Sequence, residues 1–283
     1  MLTGKQALEI ETDEDWIEAL KKSVTTPIIN GHHMARFPVA SVQARIMGSA
    51  DAAAIAEGAK FFHYAKAYAE ALGNPIHEGT KLLDFGVGWG RYPRIFAGDI
   101  SPLGIHGVDV DPEMVYGCRT LGVPGTFQQI DPRGRLPFPD KTFDMVISYS
   151  VFSHLPEDLA MAWAKEISRV CKPGAIFVFT TEPRRFLEFV AAIAEPAESP
   201  WHAGLARFKS MIPELLEKCD AGELCYIPTS GGEHLPASDY GDTVIPEAYL
   251  KEKWADLFHH CAYVDDPNVF WQACVIMQKP NDL

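Results

Sequence analysis

Residues 81–96 read KLLDFGVGWGRYPRIF, and this stretch decides the fold of the 283-residue chain. It opens as a short apolar strand, has glycines at alternate positions, and continues with apolar residues at helical spacing. A strand, a glycine turn and a helix in this order allow a ligand to lie against bare backbone at the helix N-terminus. Asp84 stands two residues before the first glycine, where its charge would repel a phosphate. The pattern favours a ligand with an ammonium or sulfonium group over a nucleotide diphosphate; the alternative is a glycine turn without a ligand.

Strands and helices alternate on the C-terminal side of this stretch, which is typical of parallel βαβ units. The predicted strands are 81–83, 104–110, 125–130, 143–149 and 175–181, and the predicted helices between them are 92–97, 113–121 and 156–170. The chain alternates again at 262–264 and 269–278, which predicts a terminal antiparallel hairpin. The expected fold class is α/β, with a doubly wound, mostly parallel, Rossmann-like sheet that this hairpin completes.

Two other regions lack this regular alternation. In the first, the sequence predicts helices at 13–22 and 51–72, the second capped by Ser49 or Asp51, and a loop or a broken segment at 25–39. In the other, it predicts a helix from Arg184, helices at 205–218 and 246–258, and a loop at 229–242. The predicted parts are a helical N-terminal extension (1–75), a cofactor-binding α/β core (76–182), a helical and loop insertion (183–256) and terminal strands (257–283).

The composition is that of an ordinary globular protein, with 47% hydrophobic and 22% charged residues. A formal net charge of -13 disfavours nucleic-acid partners and anionic membrane surfaces. No apolar run approaches the roughly 20 residues of a membrane span, and the chain does not begin with a secretory signal pattern. The six cysteines form no CxxC pair, which favours reduced thiols and a cytoplasmic location. Neighbouring histidines at 32–33 and 259–260 point in different directions, so no metal site is expected.

Acidic residues follow three successive predicted strands. Ligands of open α/β sheets bind beyond the carboxyl ends of the strands, and Asp84, Asp109 and Asp131 stand at three such ends. Asp109 lies about 20 residues beyond the glycine turn, where an acid can accept hydrogen bonds from both hydroxyls of a ribose. Asp131 would accept a hydrogen bond from the exocyclic amine of an adenine. Each acid alone has the alternative role of a helix cap, but three in succession predict one nucleoside site.

Four blocks of the sequence occur in the order and spacing of a known family: LLDFGVGWGR (82–91), GVDVDPEM (107–114), LPFPDKTFDMVISYSVFSHLPED (136–158) and KPGAIFVFTT (172–181). With them the chain resembles the class I S-adenosylmethionine-dependent methyltransferases over residues 80–182, and the terminal hairpin is weaker support. The resemblance implies the cofactor S-adenosyl-L-methionine (SAM), the product S-adenosyl-L-homocysteine (SAH) and a small-molecule methyl acceptor. Val87 and Trp89 depart from the family pattern, since many relatives have small residues at these turn positions.

The resemblance also implies which residues bind the cofactor. The glycine turn would hold the methionine part, with Asp84 orienting its amino group, and Asp109 would bind the ribose hydroxyls. The adenine would pack on two apolar residues and bond to Asp131, and residues 148–150 would approach the sulfonium. The implied cofactor-binding residues are Asp84, Phe85, Gly86, Gly88, Gly90, Arg91, Asp109, Val110, Met114, Asp131, Ser148, Tyr149 and Ser150.

His154 is the first candidate for a general base, because it follows the fourth strand and an imidazole titrates near neutral pH. Its alternative roles are to cap the helix that starts at Pro156 or to order the loop. Glu182, after the fifth strand, is the second catalytic candidate, and its alternative role is to cap the next helix. Secondary candidates are His32, His33, Tyr149 and His234.

The sequence therefore predicts a SAM-dependent methyltransferase of a small molecule, acting on oxygen first and on nitrogen second. One alternative is a SAM-binding regulatory or scaffold protein without activity. The other is an NAD(P)-dependent oxidoreductase, which the turn disfavours because it has D-x-G-x-G-x-G in place of G-x-G-x-x-G. Residues 1–75 and 183–256 are expected to form a lid over the acceptor or, alternatively, a contact in a homodimer.

Overall fold

The structure is a computed structural model that describes residues 2–229 and 235–281, apart from the side chain of Met47. His234 and part of the predicted loop 229–242 lie outside these residues. The chain forms two compact units. The first comprises Met1–Ser148 and Val170–Phe177, and the second comprises Tyr149–Arg169 and Val178–Leu283. The four-part division made from the sequence stays a prediction.

Four helices and a small hairpin form the N-terminal part of the first unit. Their bounds are α1 Gly4–Leu8, α2 Asp13–Ser23, β1 Ile28–Ile29, β2 His32–His33, α3 Ala40–Met47 and α4 Asp51–Ala71. The two long helices predicted here are confirmed. The segment 25–39, predicted as a loop or a broken segment, contains the short antiparallel pair of β1 and β2, which was not predicted.

The predicted N-cap of α4 is wrong. Ala50 is the N-cap residue, and no side chain makes a capping hydrogen bond there. The Ser49 hydroxyl donates to Glu57 at 2.6 Å instead, and the Asp51 carboxylate accepts a hydrogen bond from the Gln43 amide at 3.1 Å. Both predicted caps are therefore engaged by other side chains.

Four parallel strands form the centre of the first unit. They are β3 Leu82–Phe85, β4 Ile105–Asp109, β5 Thr126–Gln129 and β6 Phe143–Ser148, and the helices between them are α5 Arg91–Phe96 and α6 Pro112–Thr120. β3 pairs in parallel with β4 on one side and β6 on the other, and all four of its residues are buried. The strand order thus reverses beside β3, and the reversal point of a doubly wound sheet is where ligands bind.

The remaining elements follow β6 in the chain. They are α7 Glu157–Val170, β7 Cys171–Thr181, α8 Arg184–Ala192, α9 Pro200–Ala206, α10 Ile212–Asp220, β8 Cys225–Ile227, β9 Asp242–Val244, α11 Glu247–Lys253, β10 His259–Val264 and β11 Ala273–Gln278. The seven longest strands form one sheet in the order β10-β11-β7-β6-β3-β4-β5, with β10 antiparallel to β11. The predicted mostly parallel sheet with a terminal antiparallel hairpin is confirmed.

The start of β7 is predicted four residues too late. The strand includes Lys172, Pro173 and Gly174, which lie between the predicted helix 156–170 and the predicted strand 175–181. The Thr142 amide donates to the Val170 carbonyl at 2.7 Å, and Lys172 forms an ion pair with Asp144 at 2.6 Å. These contacts align the Lys-Pro-Gly segment with the first residues of β6, so it continues as a strand.

The inserted segment also departs from prediction. The helix predicted at 205–218 is two helices, α9 and α10, separated by a 3-10 turn at Lys209–Met211. Pro213 explains the break, because proline is tolerated in the first turn of α10 but not inside a continuous helix. The β8–β9 hairpin was not predicted, and the helix predicted at 246–258 ends at Lys253. Apolar side chains of α8, α9, α10, β8 and β9 form a common buried cluster.

Trp16 attaches α2 to α5 in the first unit. Its side chain is 4% exposed, and its Nε1 donates to the Ile95 carbonyl at 2.8 Å. Gly4 and Gly98 lie so close to the ring that a Cβ atom on either would come within 2.6 Å of it. The N-terminal residues are thus packed into the first unit. Within the described ranges, no helix is both long and apolar enough to cross a bilayer.

We expect Trp16→Ala to lower the free energy of unfolding by about 3–5 kcal/mol, because it empties a closely packed site and leaves a carbonyl without its donor. The measurement is chemical denaturation followed by circular dichroism. Trp201→Ala, at a site that is 51% exposed, is the matched control and should cost less. Equal losses in the two variants would contradict the anchoring role of Trp16.

Candidate functional site

Three glycines with positive φ angles shape the turn between β3 and α5. Gly86, Gly88 and Gly90 have φ angles of 83°, 51° and 82°, in the left-handed region that side-chain-bearing residues rarely adopt. The Gly88 amide donates to Asp109 Oδ2 at 2.8 Å, which ties the turn to the end of β4. The turn therefore brings the ends of β3 and β4 together with bare backbone between them.

The two bulky residues of the turn do not obstruct it. Val87 is buried in a cluster with side chains of α6 and β5. Trp89 is also buried, and its ring lies 5.9 Å from that of Phe37. Both departures from the family pattern are therefore accommodated by apolar packing within the first unit.

Asp84 is a buried carboxyl group that forms no hydrogen bond with the described residues. Its side chain is 1% exposed, and both of its oxygens lack a partner among the residues that the structure describes. Burial raises the pKa of Asp84 well above its usual value, the nearby Asp109 carboxylate raises it further, and Arg91 partly opposes both. Such a group is costly in the unliganded protein. A ligand cation with N–H donors would satisfy it, so the turn fits the ammonium end of SAM.

Asp109 is the last residue of β4, and both oxygens of its carboxylate accept backbone hydrogen bonds. Oδ2 accepts from Gly88, and Oδ1 accepts from the Asp111 amide at 2.9 Å. A carboxylate has about four lone-pair positions, so this one can still accept a hydrogen bond from a ribose hydroxyl. Burial raises the pKa of Asp109, and the backbone hydrogen bonds oppose this shift. Met114, on the first turns of α6, is buried, and Val110 is half-buried.

The other cofactor residues implied by the sequence have different surroundings. Ser148, at the end of β6, is buried and donates to the carbonyl of Phe85 on neighbouring β3 at 2.9 Å. Arg91 is fully buried at the start of α5, and donates to the Ala54 carbonyl at 3.3 Å. Asp131 is exposed and accepts from the Arg133 amide at 2.8 Å, as in an Asx turn.

A separate polar cluster lies in the second unit. Ser150 has a φ of 58°, which is strained for a residue with a side chain, and its amide donates to Thr180 Oγ1 at 2.7 Å. Gln272, directly before β11, contacts three members: Oε1 accepts from Thr180 at 2.6 Å, and Nε2 donates to Ser150 Oγ at 3.1 Å and to Glu182 Oε1 at 2.9 Å. Tyr149, beside Ser150, is half-buried.

His154 extends this cluster towards β9. Nδ1 lies 2.7 Å from the Gly241 carbonyl, which can only accept, so Nδ1 carries the proton and Nε2 the lone pair. Nε2 lies 3.4 Å from Ser150 Oγ, and the ring stacks on Tyr240 at 4.4 Å. Asp242 Oδ1 is 3.7 Å from Nδ1. Burial lowers the pKa of His154 and raises that of Asp242, and in each it outweighs the attraction between the two.

Glu182 is the second ionisable member of the cluster. It is 4% exposed, and its Oε2 has no hydrogen-bond partner within the described ranges. Burial raises the pKa of Glu182 to about 8; the hydrogen bond from Gln272 opposes this shift, Asp242 adds to it, and Arg185 opposes it. Near neutral pH the side chain is therefore mostly a neutral acid.

Backbone pairing explains why β9 lies beside these residues. The Glu182 amide donates to the Thr243 carbonyl at 3.1 Å, and the Thr243 amide donates to the Ser153 carbonyl at 2.7 Å. Asp242 and Gln272 were not among the site residues predicted from the sequence. The available signals were a polar residue at the start of an apolar strand (Gln272 before ACVIM) and an acid before a β-branched pair (Asp242 before TV).

The structure does not gather every sequence candidate. His32 and His33 are exposed on β2. No group of three or more metal-ligating side chains occurs in the described part of the chain. His154 and Glu182 belong to one hydrogen-bonded cluster, and Asp84 and Asp109 are coupled in the first unit.

Comparison with known proteins identifies related sequences. A family described as "Methyltransferase domain" matches residues 83–179. The 2-methyl-6-phytyl-1,4-hydroquinone methyltransferase of Synechocystis is 36% identical over 102 residues, which are 35% of this chain and 31% of that protein. The demethylmenaquinone methyltransferase of Tropheryma whipplei is 32% identical over 130 residues, covering 44% of this chain and 51% of that protein. The chain thus spans between about a third and a half of the length of these relatives.

One solved structure supports the fold. The crystal structure of magnesium protoporphyrin IX methyltransferase from Synechocystis, with bound SAH, aligns with a TM-score of 0.50 at 16% identity. The alignment covers 84% of this chain and 93% of that one. At this level of identity the likeness shows a shared fold.

Proposed function

Since the chain belongs to the class I S-adenosylmethionine-dependent methyltransferase family, we propose that it transfers the methyl group of SAM to a small-molecule acceptor, with oxygen as the preferred acceptor atom and nitrogen as the second. The observation that carries this proposal is the buried Asp84 carboxyl group, which has no hydrogen bond among the described residues and lies beside a glycine turn. A cation with several N–H donors is the ligand that such a group lacks.

The residues of the first unit would hold the cofactor in a definite order. Asp84 binds the ammonium group, and Asp109 binds the ribose hydroxyls with its remaining lone pairs. Val110 and Met114 pack on the adenine. Asp131 bonds to the adenine amine, for which its exposed carboxylate turns away from Arg133. When bound, SAM supplies a methyl group activated by its positive sulfur.

The residues of the second unit act on the acceptor. His154 is neutral near pH 7 and gains a proton at Nε2 when the acceptor loses one, because Nδ1 already holds a proton on the Gly241 carbonyl. Asp242, 3.7 Å from Nδ1, stabilises the imidazolium that forms. The inserted segment 183–256 supplies Tyr240, Gly241 and Asp242 around His154, which supports its role as part of an acceptor cap.

Two of the relatives support a ring-containing acceptor. One is named for a hydroquinone and the other for demethylmenaquinone. We therefore propose an acceptor with an aromatic or quinone-like ring. The stacking of His154 on Tyr240 supports this, since flat rings suit a flat ligand.

The test of the function is isothermal calorimetry with SAM, SAH and NADH. We expect SAM and SAH to bind with one site per chain and NADH not to bind. Mass spectrometry of a panel of hydroxylated ring compounds incubated with SAM should then show SAH release with at least one acceptor. Binding of SAM without transfer to any compound would favour the regulatory alternative, and binding of NADH would favour the oxidoreductase.

Asp109→Ala should weaken SAH binding at least about tenfold, equivalent to about 1.4 kcal/mol, because it removes the acceptor for the ribose hydroxyls and frees Gly88. Calorimetry gives the affinity directly. Asp256→Ala, on an exposed side chain, is the control and should leave the affinity unchanged. An unaltered affinity in Asp109→Ala would remove the ribose assignment.

A further inference from the structure

The hydrogen bonds around Gln272 have a definite direction in the structure. The Ser150 amide donates to Thr180 Oγ1, and the Thr180 hydroxyl donates to Gln272 Oε1 at 2.6 Å. This bond fixes Oε1 as the acceptor end of the Gln272 amide. Nε2 then has two N–H donors, directed to Ser150 Oγ and Glu182 Oε1.

The Ser150 hydroxyl is thereby turned towards His154. Because Ser150 Oγ accepts from Gln272, its own proton is directed to another acceptor, and the lone pair on His154 Nε2 lies 3.4 Å away. Nε2 is free to accept because Gly241 holds the proton on Nδ1. Ser150 and His154 are therefore the members of the cluster that can accept a proton.

Glu182 is the member of the cluster that can donate a hydrogen bond. Oε1 accepts from Gln272, so a proton on the neutral acid resides on Oε2, which is buried and has no partner in the described structure. The charged groups that influence it are Asp242 and Arg185, and burial is the largest effect, raising the pKa of Glu182 to about 8. At neutral pH, Oε2 carries a proton and can donate a hydrogen bond to a bound molecule.

We propose that Gln272 is a positioning residue that separates the cluster into a donor at Glu182 and a proton acceptor at Ser150–His154, so that the acceptor molecule binds through two neighbouring oxygens. One oxygen, a carbonyl or ether, accepts from Glu182, and the other is the hydroxyl that is methylated. This inference rests on the proposed methyl transfer. Ser150 Oγ and Glu182 Oε1 bond the same nitrogen and therefore lie within about 6 Å of each other. Oxygens on adjacent carbons of a ring fit this span; the hydroquinone relative, whose oxygens are 1,4, supports the ring but not this placement.

The proton balance of this arrangement is complete. The acceptor hydroxyl gives its proton to Ser150 Oγ, and Ser150 passes its own proton to His154 Nε2. The acceptor oxygen gains the methyl group, the sulfonium becomes the neutral thioether of SAH, and the positive charge resides on His154. Glu182 keeps its proton throughout, so it acts by binding.

A first experiment tests the positions of the protons without any acceptor. Infrared difference spectra between wild type and Glu182→Gln, recorded from about pH 6 to about pH 10, should show a protonated carboxyl band that disappears near pH 8. In Gln272→Leu the midpoint should move to higher pH, because the ionised form loses its donor. Gln272→Glu, which keeps the size of the side chain, should shift it in the same direction. Glu198→Gln, an exposed site, is the control. Absence of the band at pH 7, or an unmoved midpoint in both Gln272 variants, overturns the proposal.

A second experiment tests the paired oxygens with salicylaldehyde and para-hydroxybenzaldehyde as probes, measuring SAH release. We expect transfer to salicylaldehyde to be at least about tenfold faster. Glu182→Gln should keep this preference, because an amide also donates, and Glu182→Ala should abolish it. Equal rates, or transfer to neither probe, overturns the acceptor class. Absence of SAH binding by calorimetry would instead overturn the proposed function.

Discussion

Asp84→Asn is expected to weaken SAM binding at least about tenfold, about 1.4 kcal/mol, while making the unliganded protein more stable at neutral pH. The loss follows from removing the only negative charge proposed to meet the ammonium group. The gain follows from the raised pKa of Asp84: its stabilising protonated form is complete below the unfolded pKa and is lost as pH rises through the folded pKa. The advantage of the Asn variant should therefore grow as the pH is raised from about 4. Calorimetry and thermal unfolding measure the two effects.

Proton release gives a sharper test of the same site. A ligand cation lowers the pKa of Asp84, so SAM binding should release a proton from wild type and fewer from Asp84→Asn. Calorimetry in two buffers with different ionisation enthalpies counts these protons. Asp256→Asn, at an exposed position, is the control for both experiments. Equal proton release in wild type and Asp84→Asn would place the ammonium elsewhere.

His154→Ala should reduce turnover by about a hundredfold to ten-thousandfold with cofactor affinity unchanged, because it removes the general base. In wild type, the rate should fall on the acid side as His154 is protonated, below the ordinary histidine pKa because burial lowers it. It should also fall above about pH 8 as Glu182 ionises. The pH–rate profile measures both limbs, and Glu182→Gln should lose only the alkaline one.

The control for this prediction is His259→Ala, which alters an exposed histidine on β10. Its turnover should equal that of wild type. Full activity in His154→Ala would remove His154 as the base and leave it the structural role of joining Ser150 to β9.

The parallel sheet was predictable because its signal is local and repeated. Most strands of the core are short apolar runs with an acid or a polar residue at or next to their last position, as at Asp84 and Asp109, and most are followed by a turn and a helix. The Lys-Pro-Gly segment misled because proline and glycine usually end an element. Its strand conformation depends on pairing with Asp144, which is distant in sequence.

Only two residues of the polar cluster could be predicted, because its other contacts join segments that are distant in sequence. His154 and Glu182 follow predicted strands and could be selected by position. Asp242 contacts His154 from the β8–β9 hairpin, which sequence periodicity did not reveal. Gln272 lies in the predicted terminal hairpin, but about 90 residues separate it from Glu182, so the contact could not be read from the sequence. Burial also matters: the sequence shows that Glu182 is acidic, but only packing makes it neutral near pH 7.

The left-handed backbone of Ser150 has a consequence for protein engineering. Glycine adopts this conformation without strain, so a search for thermostable variants would select Ser150→Gly and gain up to about 1–3 kcal/mol. The same exchange deletes the hydroxyl between Gln272 and His154. Loss of Ser150 Oγ would therefore raise the melting temperature and lower the turnover rate. Selection for melting temperature alone would yield a more stable but slower enzyme.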